Sequence, residues 1–126
     1  RVVDAGSSAH EGNNNGISVH LTNDVTITNL TVESSSTSKP SCLSGVDVCG
    51  SSRVTVTNMN VTRPAVAAVA IRPALGNVND VTVRGGRWRV YDGADVVLYD
   101  VRYNHFRRLS VLGPTVELYG TGHVVN

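Results

Sequence analysis

Gly16-Ile17-Ser18-Val19, five residues, and Val25-Thr26-Ile27-Thr28-Asn29-Leu30-Thr31-Val32 reads position for position against Gly45-Val46-Asp47-Val48, five residues, and Val54-Thr55-Val56-Thr57-Asn58-Met59-Asn60-Val61. Ile17 and Val46, Val25 and Val54, and Val32 and Val61 are all 29 positions apart. An offset held across separate segments marks an internal repeat. Within each copy apolar and polar residues alternate in pairs or triplets, the period of a short strand with one buried face. One copy cannot bury that face alone. Three short strands per copy, separated by turns, predict a coil whose rungs lie on one another at about 4.8 Å. Parallel pairing needs long crossovers, and a coil supplies them as the remainder of each rung.

The repeat loosens toward the C-terminus. Val69 and Ile71 stand for Val46 and Val48, and Val81-Thr82-Val83 follows a nine-residue connection. Trp88 and Val90, then Val96, Leu98, Val101 and Tyr103, read as a fourth copy, and Leu109, Val111, Val116 and Leu118 as a degenerate fifth. Residues 1–15 are expected to form a lead-in or cap, and residues 16–126 a module of four to five rungs. A β-sandwich built from similar strands gives no reason for a five-residue connection and an asparagine to recur in register.

Asn29 and Asn58 occupy one repeat position, between the second and third strands, where asparagine tolerates left-handed backbone. Stacked asparagines hydrogen-bond from rung to rung. With this ladder and the Gly-[Ile/Val]-x-Val, Val-Thr-[Ile/Val]-Thr-Asn-x-x-Val texture, residues 16 to 103 resemble the pectin-lyase-like superfamily of right-handed parallel β-helix proteins. The resemblance implies an all-β solenoid and a setting among polysaccharide-active secreted proteins, phage tailspikes and surface adhesins. It transfers no catalytic residue: Gly122-His123 is followed by valine, and Ile71-Arg72-Pro73 lacks the second arginine of a pectate lyase motif.

Composition agrees with strands rather than helices, with valine, threonine, serine, asparagine and glycine abundant and lysine present once, at Lys39. A formal charge of +1 argues for neither a nucleic-acid binder nor a membrane-surface protein. No apolar run approaches the roughly 20 residues of a membrane span, and no leader pattern opens the chain, so a soluble protein is expected. Nine of the ten arginines fall between Arg53 and Arg108, interleaved with Asp80, Asp92, Asp95 and Asp100, and read as a solvated mixed-charge face. Cys42 and Cys49 flank a tight loop and suit either an extracellular disulfide or two unpaired thiols. Two cysteines alone do not make a structural zinc site.

Because inward residues fill the coil, function is expected from outward positions and long turns. On the first strand of successive rungs these positions read Ser18, Asp47, Ala70, Arg89 and then His20, Cys49, Arg72, Tyr91. His20, Asp47 and Arg72 then fall within about 10 Å of one another and form the candidate catalytic group. In a lyase, a base removes the proton beside a uronate carboxyl while a cation neutralises the enolate, roles open to His20 and Arg72. A glycosidase needs two facing carboxylates, and this surface offers only Asp47. The competing reading is a set of solvated surface residues. Arg89, Tyr91 and Tyr99 are the candidate substrate-binding residues, with the tyrosines as sugar-stacking platforms. No cofactor is expected, calcium near Asp92, Asp95 and Asp100 being the one candidate, without the full calcium-loop pattern.

The expected function is a carbohydrate-facing module that recognises polysaccharide, extracellular or on a virion surface. The alternatives are a structural segment of an oligomeric or fibrous assembly, in which copies or flanking domains cover the coil's ends, and a lyase acting on an acidic glycan.

Overall fold

A computed structural model describes residues 2–3, 16–34, 44–91, 93–99 and 105–120. Among them every regular element is a strand. A short β1 (Val2–Val3) precedes four sets of three: β2 (Ile17–His20), β3 (Val25–Thr28), β4 (Thr31–Glu33); β5 (Ser44–Cys49), β6 (Ser52–Thr57), β7 (Asn60–Thr62); β8 (Ala67–Ile71), β9 (Val78–Arg84), β10 (Arg87–Tyr91); β11 (Asp95–Tyr99), β12 (Phe106–Leu112), β13 (Thr115–Tyr119). They stack into three sheets, β2-β5-β8-β11, β3-β6-β9-β12 and β1-β4-β7-β10-β13, and every pairing is parallel. The chain is an all-β parallel solenoid, as the repeat predicts, of about three turns where four to five rungs are expected. Val2 and Val3 pair with Val32 and Glu33, so part of the expected 1–15 cap already extends a sheet; residues 1 and 4–15 lie outside the described residues.

The corners are cut by residues in left-handed backbone. Asn29, Asn58, Gly85 and Gly113, at φ 57, 55, 62 and 64°, turn the chain from second strand to third. Asp24, Arg53, Asp80 and Arg108, at 59, 56, 58 and 58°, do the same where each second strand begins. Asparagine, aspartate and glycine suit this geometry. Arginine does not, and at Arg53 and Arg108 a side-chain pair to the rung before accompanies the strain. Asn58 Nδ2 donates to Asn29 Oδ1 at 2.8 Å, the expected ladder, which ends where glycine takes over.

Inward residues stack in columns such as Val25–Val54–Val81–Leu109 and Val32–Val61–Trp88–Val116, and those of the middle rungs are fully buried. Each such valine stabilises the fold by roughly 1.5–3 kcal/mol relative to exposure. Trp88, the largest buried side chain, donates its Nε1–H to the Met59 carbonyl at 3.1 Å. The Met59 backbone leaves no space beside Gly86: a Cβ there would sit 1.9 Å from the Met59 carbonyl oxygen.

Two expectations about register are corrected. Trp88 and Val90 close the third rung rather than opening a fourth, because β10 pairs with β7, and the expected fifth copy is the second and third strands of the fourth rung. The third rung hides this: Val46 and Val69 are 23 apart, whereas Val54 and Val81, like Val61 and Trp88, are 27 apart. The longer connection between β8 and β9 makes up the difference.

Candidate functional site

His20, Asp47 and Arg72 come together more closely than their spacing implies. β2 and β5 pair His20 with Cys49, and β5 and β8 pair Val48 with Ile71, so the three side chains lie diagonally across three adjacent rungs. Arg72 Nε donates to Asp47 Oδ1 at 2.8 Å and its Nη2 to Oδ2, a bidentate clamp. His20 Nε2 lies 2.9 Å from the same Oδ2, which makes Nε2 the nitrogen that carries the proton in that bond.

The expectation that Asp47 stands on an exposed sheet is corrected: it is 0% exposed, while the side chains of His20 and Arg72 are 28% and 37% exposed. At β5 and β8 the outer face of this sheet is covered as well as its inner one, since both strands are buried along their whole lengths. A carboxylate held this way ties three rungs together, and its partners present the only solvent-facing part of the group. Such a group does not offer Asp47 to a substrate as a base.

Arg89 and Tyr91 belong to the third-strand sheet, not to the columns of Asp47 and Arg72, which corrects their expected place. The column under Ser18, Asp47 and Ala70 ends in Leu98. Arg89 and Arg87 both pair with Glu117. Tyr91 is stacked on Tyr119 of the following rung at 4.6 Å and 12°, and Arg63 of the preceding rung lies 4.2 Å from its ring centroid. Flanked from both rungs, the Tyr91 ring has no open face for a sugar. Glu117 titrates below the usual carboxylate range, first because the Tyr119 hydroxyl donates to it at 2.8 Å and then through the two arginines.

Tyr99 pairs with Ile71 and is 40% exposed, and its ring tilts against Phe106 at 6.0 Å. Cys49 is a buried free thiol; Cys42, its expected partner, lies outside the described residues, as do Asp92 and Asp100 of the calcium reading. Asp95, the remaining member of that group, is buried on β11.

A feature missed in the sequence lies beside Phe106. Asn77, Asn79, His105, Phe106 and Arg107 line a cleft of about 390 Å³ where the third and fourth rungs enter their second strands. The His105 N–H donates to Asn77 Oδ1 at 3.0 Å and the Val78 N–H to the His105 carbonyl at 3.0 Å, so the two rungs hold each other at the cleft's edge. Phe106 and Arg107 sit directly on Val78 and Asn79. Asn79 is fixed by Ser52, whose Oγ accepts its backbone N–H at 3.2 Å. Among the described residues no carboxylate lines this cleft.

A second unforeseen feature runs up the neighbouring corner, where the left-handed residues alternate in charge. Arg53 Nη2 donates to Asp24 Oδ2 at 2.9 Å, and Arg108 Nη2 to Asp80 Oδ2 at 3.0 Å. These bonds hold both aspartates below the usual carboxylate range and both arginines above their ordinary value. Arg53, Asp80 and Arg108 of the expected mixed-charge face form, with Asp24, an ordered column.

Comparison with known proteins returns no match: no protein-family model fits the chain, and neither a curated protein nor a solved structure matches it significantly.

Proposed function

We propose that this chain is a polysaccharide-recognising β-helix module of the pectin-lyase-like kind, extracellular or on a virion surface, and that it takes an acidic glycan at the cleft between Asn77 and Arg107. The observation that carries the reading is the cleft's lining: two amides, an aromatic ring, an imidazole and a guanidinium around about 390 Å³. Sugars are held by such combinations, an apolar ring edge or face for the C–H surface and fixed polar groups for the hydroxyls. Arg107 supplies the planar fork that matches a uronate carboxylate. Recognition suits this lining better than hydrolysis, which draws on a pair of carboxylates.

Titration calorimetry with polygalacturonate and with a neutral glucan tests it. Binding of the acidic polymer is expected, weakened about tenfold or more by Arg107→Ala, an exposed position, with little response to the neutral one. Absence of binding, or binding indifferent to Arg107→Ala and His105→Ala, would overturn the assignment. Release of unsaturated uronate would replace recognition with lyase activity.

A further inference from the structure

The outward face of the sheet β3-β6-β9-β12 carries a net of hydroxyls. Residues 25–28, 54–57, 81–84 and 109–112 pair one for one across the four rungs without a slip. Thr26, Thr55, Thr82 and Ser110 therefore form one straight column, and Thr28 and Thr57 begin a second, which Arg84 and Leu112 continue. Arg84 is the one charge in this block. Val54, Val56, Val81 and Val83, which alternate with the outward residues, are buried, so the hydroxyls stand on a packed platform.

None of these six hydroxyls is spent on a hydrogen bond within the chain. Thr26, Thr28 and Ser110 are exposed, and Thr55, Thr57 and Thr82 half-buried. The third-strand sheet has the same strand geometry yet fills its outward positions with Arg87, Arg89, Tyr91, Glu117 and Tyr119, so backbone preference alone does not set the choice. Threonine is stiff at χ1, which leaves each hydroxyl and methyl little freedom to lose. Rungs repeat at about 4.8 Å, and alternate residues along a strand at about 6.7 Å. The face is thus a nearly rectangular array of small, neutral groups held in place before any partner arrives.

We infer that this face binds ice. Oxygens on a prism face of ice repeat in a rectangular net close to these two spacings, the shorter one matching the stacking of rungs, whereas a dissolved polymer presents no fixed net. Each hydroxyl exchanges hydrogen bonds with a lattice water, and the methyls sit in the hollows between. Water already ordered over a rigid array loses little further freedom on joining a crystal. A charge would keep its own hydration shell against the lattice, and in this block only Arg84 does so. An adsorbed chain pins the ice surface, growth between pinned points turns curved, and freezing is held below the melting point. The inference stands apart from the glycan reading: the cleft's residues precede the left-handed corners at Asp80 and Arg108, and the array follows them.

Watching a single seeded ice crystal in a nanolitre osmometer, which reads the gap between melting and freezing points, is the test. The wild-type chain should open a gap and facet the crystal. Thr55→Lys, which plants a long charged side chain in the array, should abolish both with an unchanged far-ultraviolet dichroism spectrum. Thr115→Lys, at an exposed position of the third-strand sheet, should alter neither. Arg84→Thr should widen the gap, because it carries the second column into the third rung; threonines present only for strand stability predict no such gain. A wild-type chain without gap or faceting would overturn the inference, as would a gap that Thr55→Lys or Arg84→Thr leaves unchanged, or one that Thr115→Lys removes. Retention on crystalline cellulose with no effect on ice would hand the face to a solid glycan and equally overturn it. The Arg84→Thr arm decides the matter even if Thr55→Lys does not fold.

Discussion

Burying a carboxylate is tolerable only when its oxygens are satisfied, and Asp47 meets that condition with a guanidinium on one side and an imidazole on the other. At the corner column the same residue types act without burial, and there pH is the revealing variable. Asp24 and Asp80 titrate lower in the folded chain than in the unfolded one, so the arginine pairs contribute fully at pH values above the ordinary carboxylate range, near 4. The contribution is lost as pH falls through the lower folded values, because the unfolded chain binds the proton first. Thermal melts between about pH 6 and about pH 2 should show the wild type losing stability on acidification more steeply than Asp24→Asn/Asp80→Asn. Equal slopes would mean that the two pairs contribute nothing measurable, as is common for exposed ion pairs.

Strands in this chain are short, three to seven residues after β1, and what defines them is where the corners fall. The Asn29–Asn58–Gly85–Gly113 column separates two effects, left-handed geometry and side-chain hydrogen bonding. Asn58→Gly keeps the geometry and loses the bond to Asn29, whereas Asn58→Ala loses both. Chemical denaturation should therefore find Asn58→Ala about 1 kcal/mol less stable than Asn58→Gly. A difference near zero would show that the backbone relaxes at that corner. The column also explains what was legible in the sequence. Asn29 and Asn58 are identical and 29 apart, so the first two rungs announce themselves. In the third rung Gly85 takes the corner and Trp88 takes the place of Val61, and the same geometry is then written in different letters. The alternating Asp24, Arg53, Asp80, Arg108 column was hidden by spacings of 29, 27 and 28, which align only after the lengths of the connections are known. Likewise, nothing in an alternating pattern says that an outward column is covered, which is why Asp47 reads as solvated and the neighbouring cleft goes unseen.

At the scale of the whole molecule a solenoid is nearly one-dimensional, each rung touching only its neighbours, so stability is distributed by position along the axis. The second rung and most of the third combine full burial with pairing on both sides, while among the described residues the fourth is paired on one side only and carries exposed apolar side chains on β12 and β13. Opening should therefore begin at β12 and β13 and reach β5–β9 last, since local opening costs least where buried contacts are few. Hydrogen exchange at low concentration should show amides of β6 and β8 protected longest and those of β12 and β13 exchanging first.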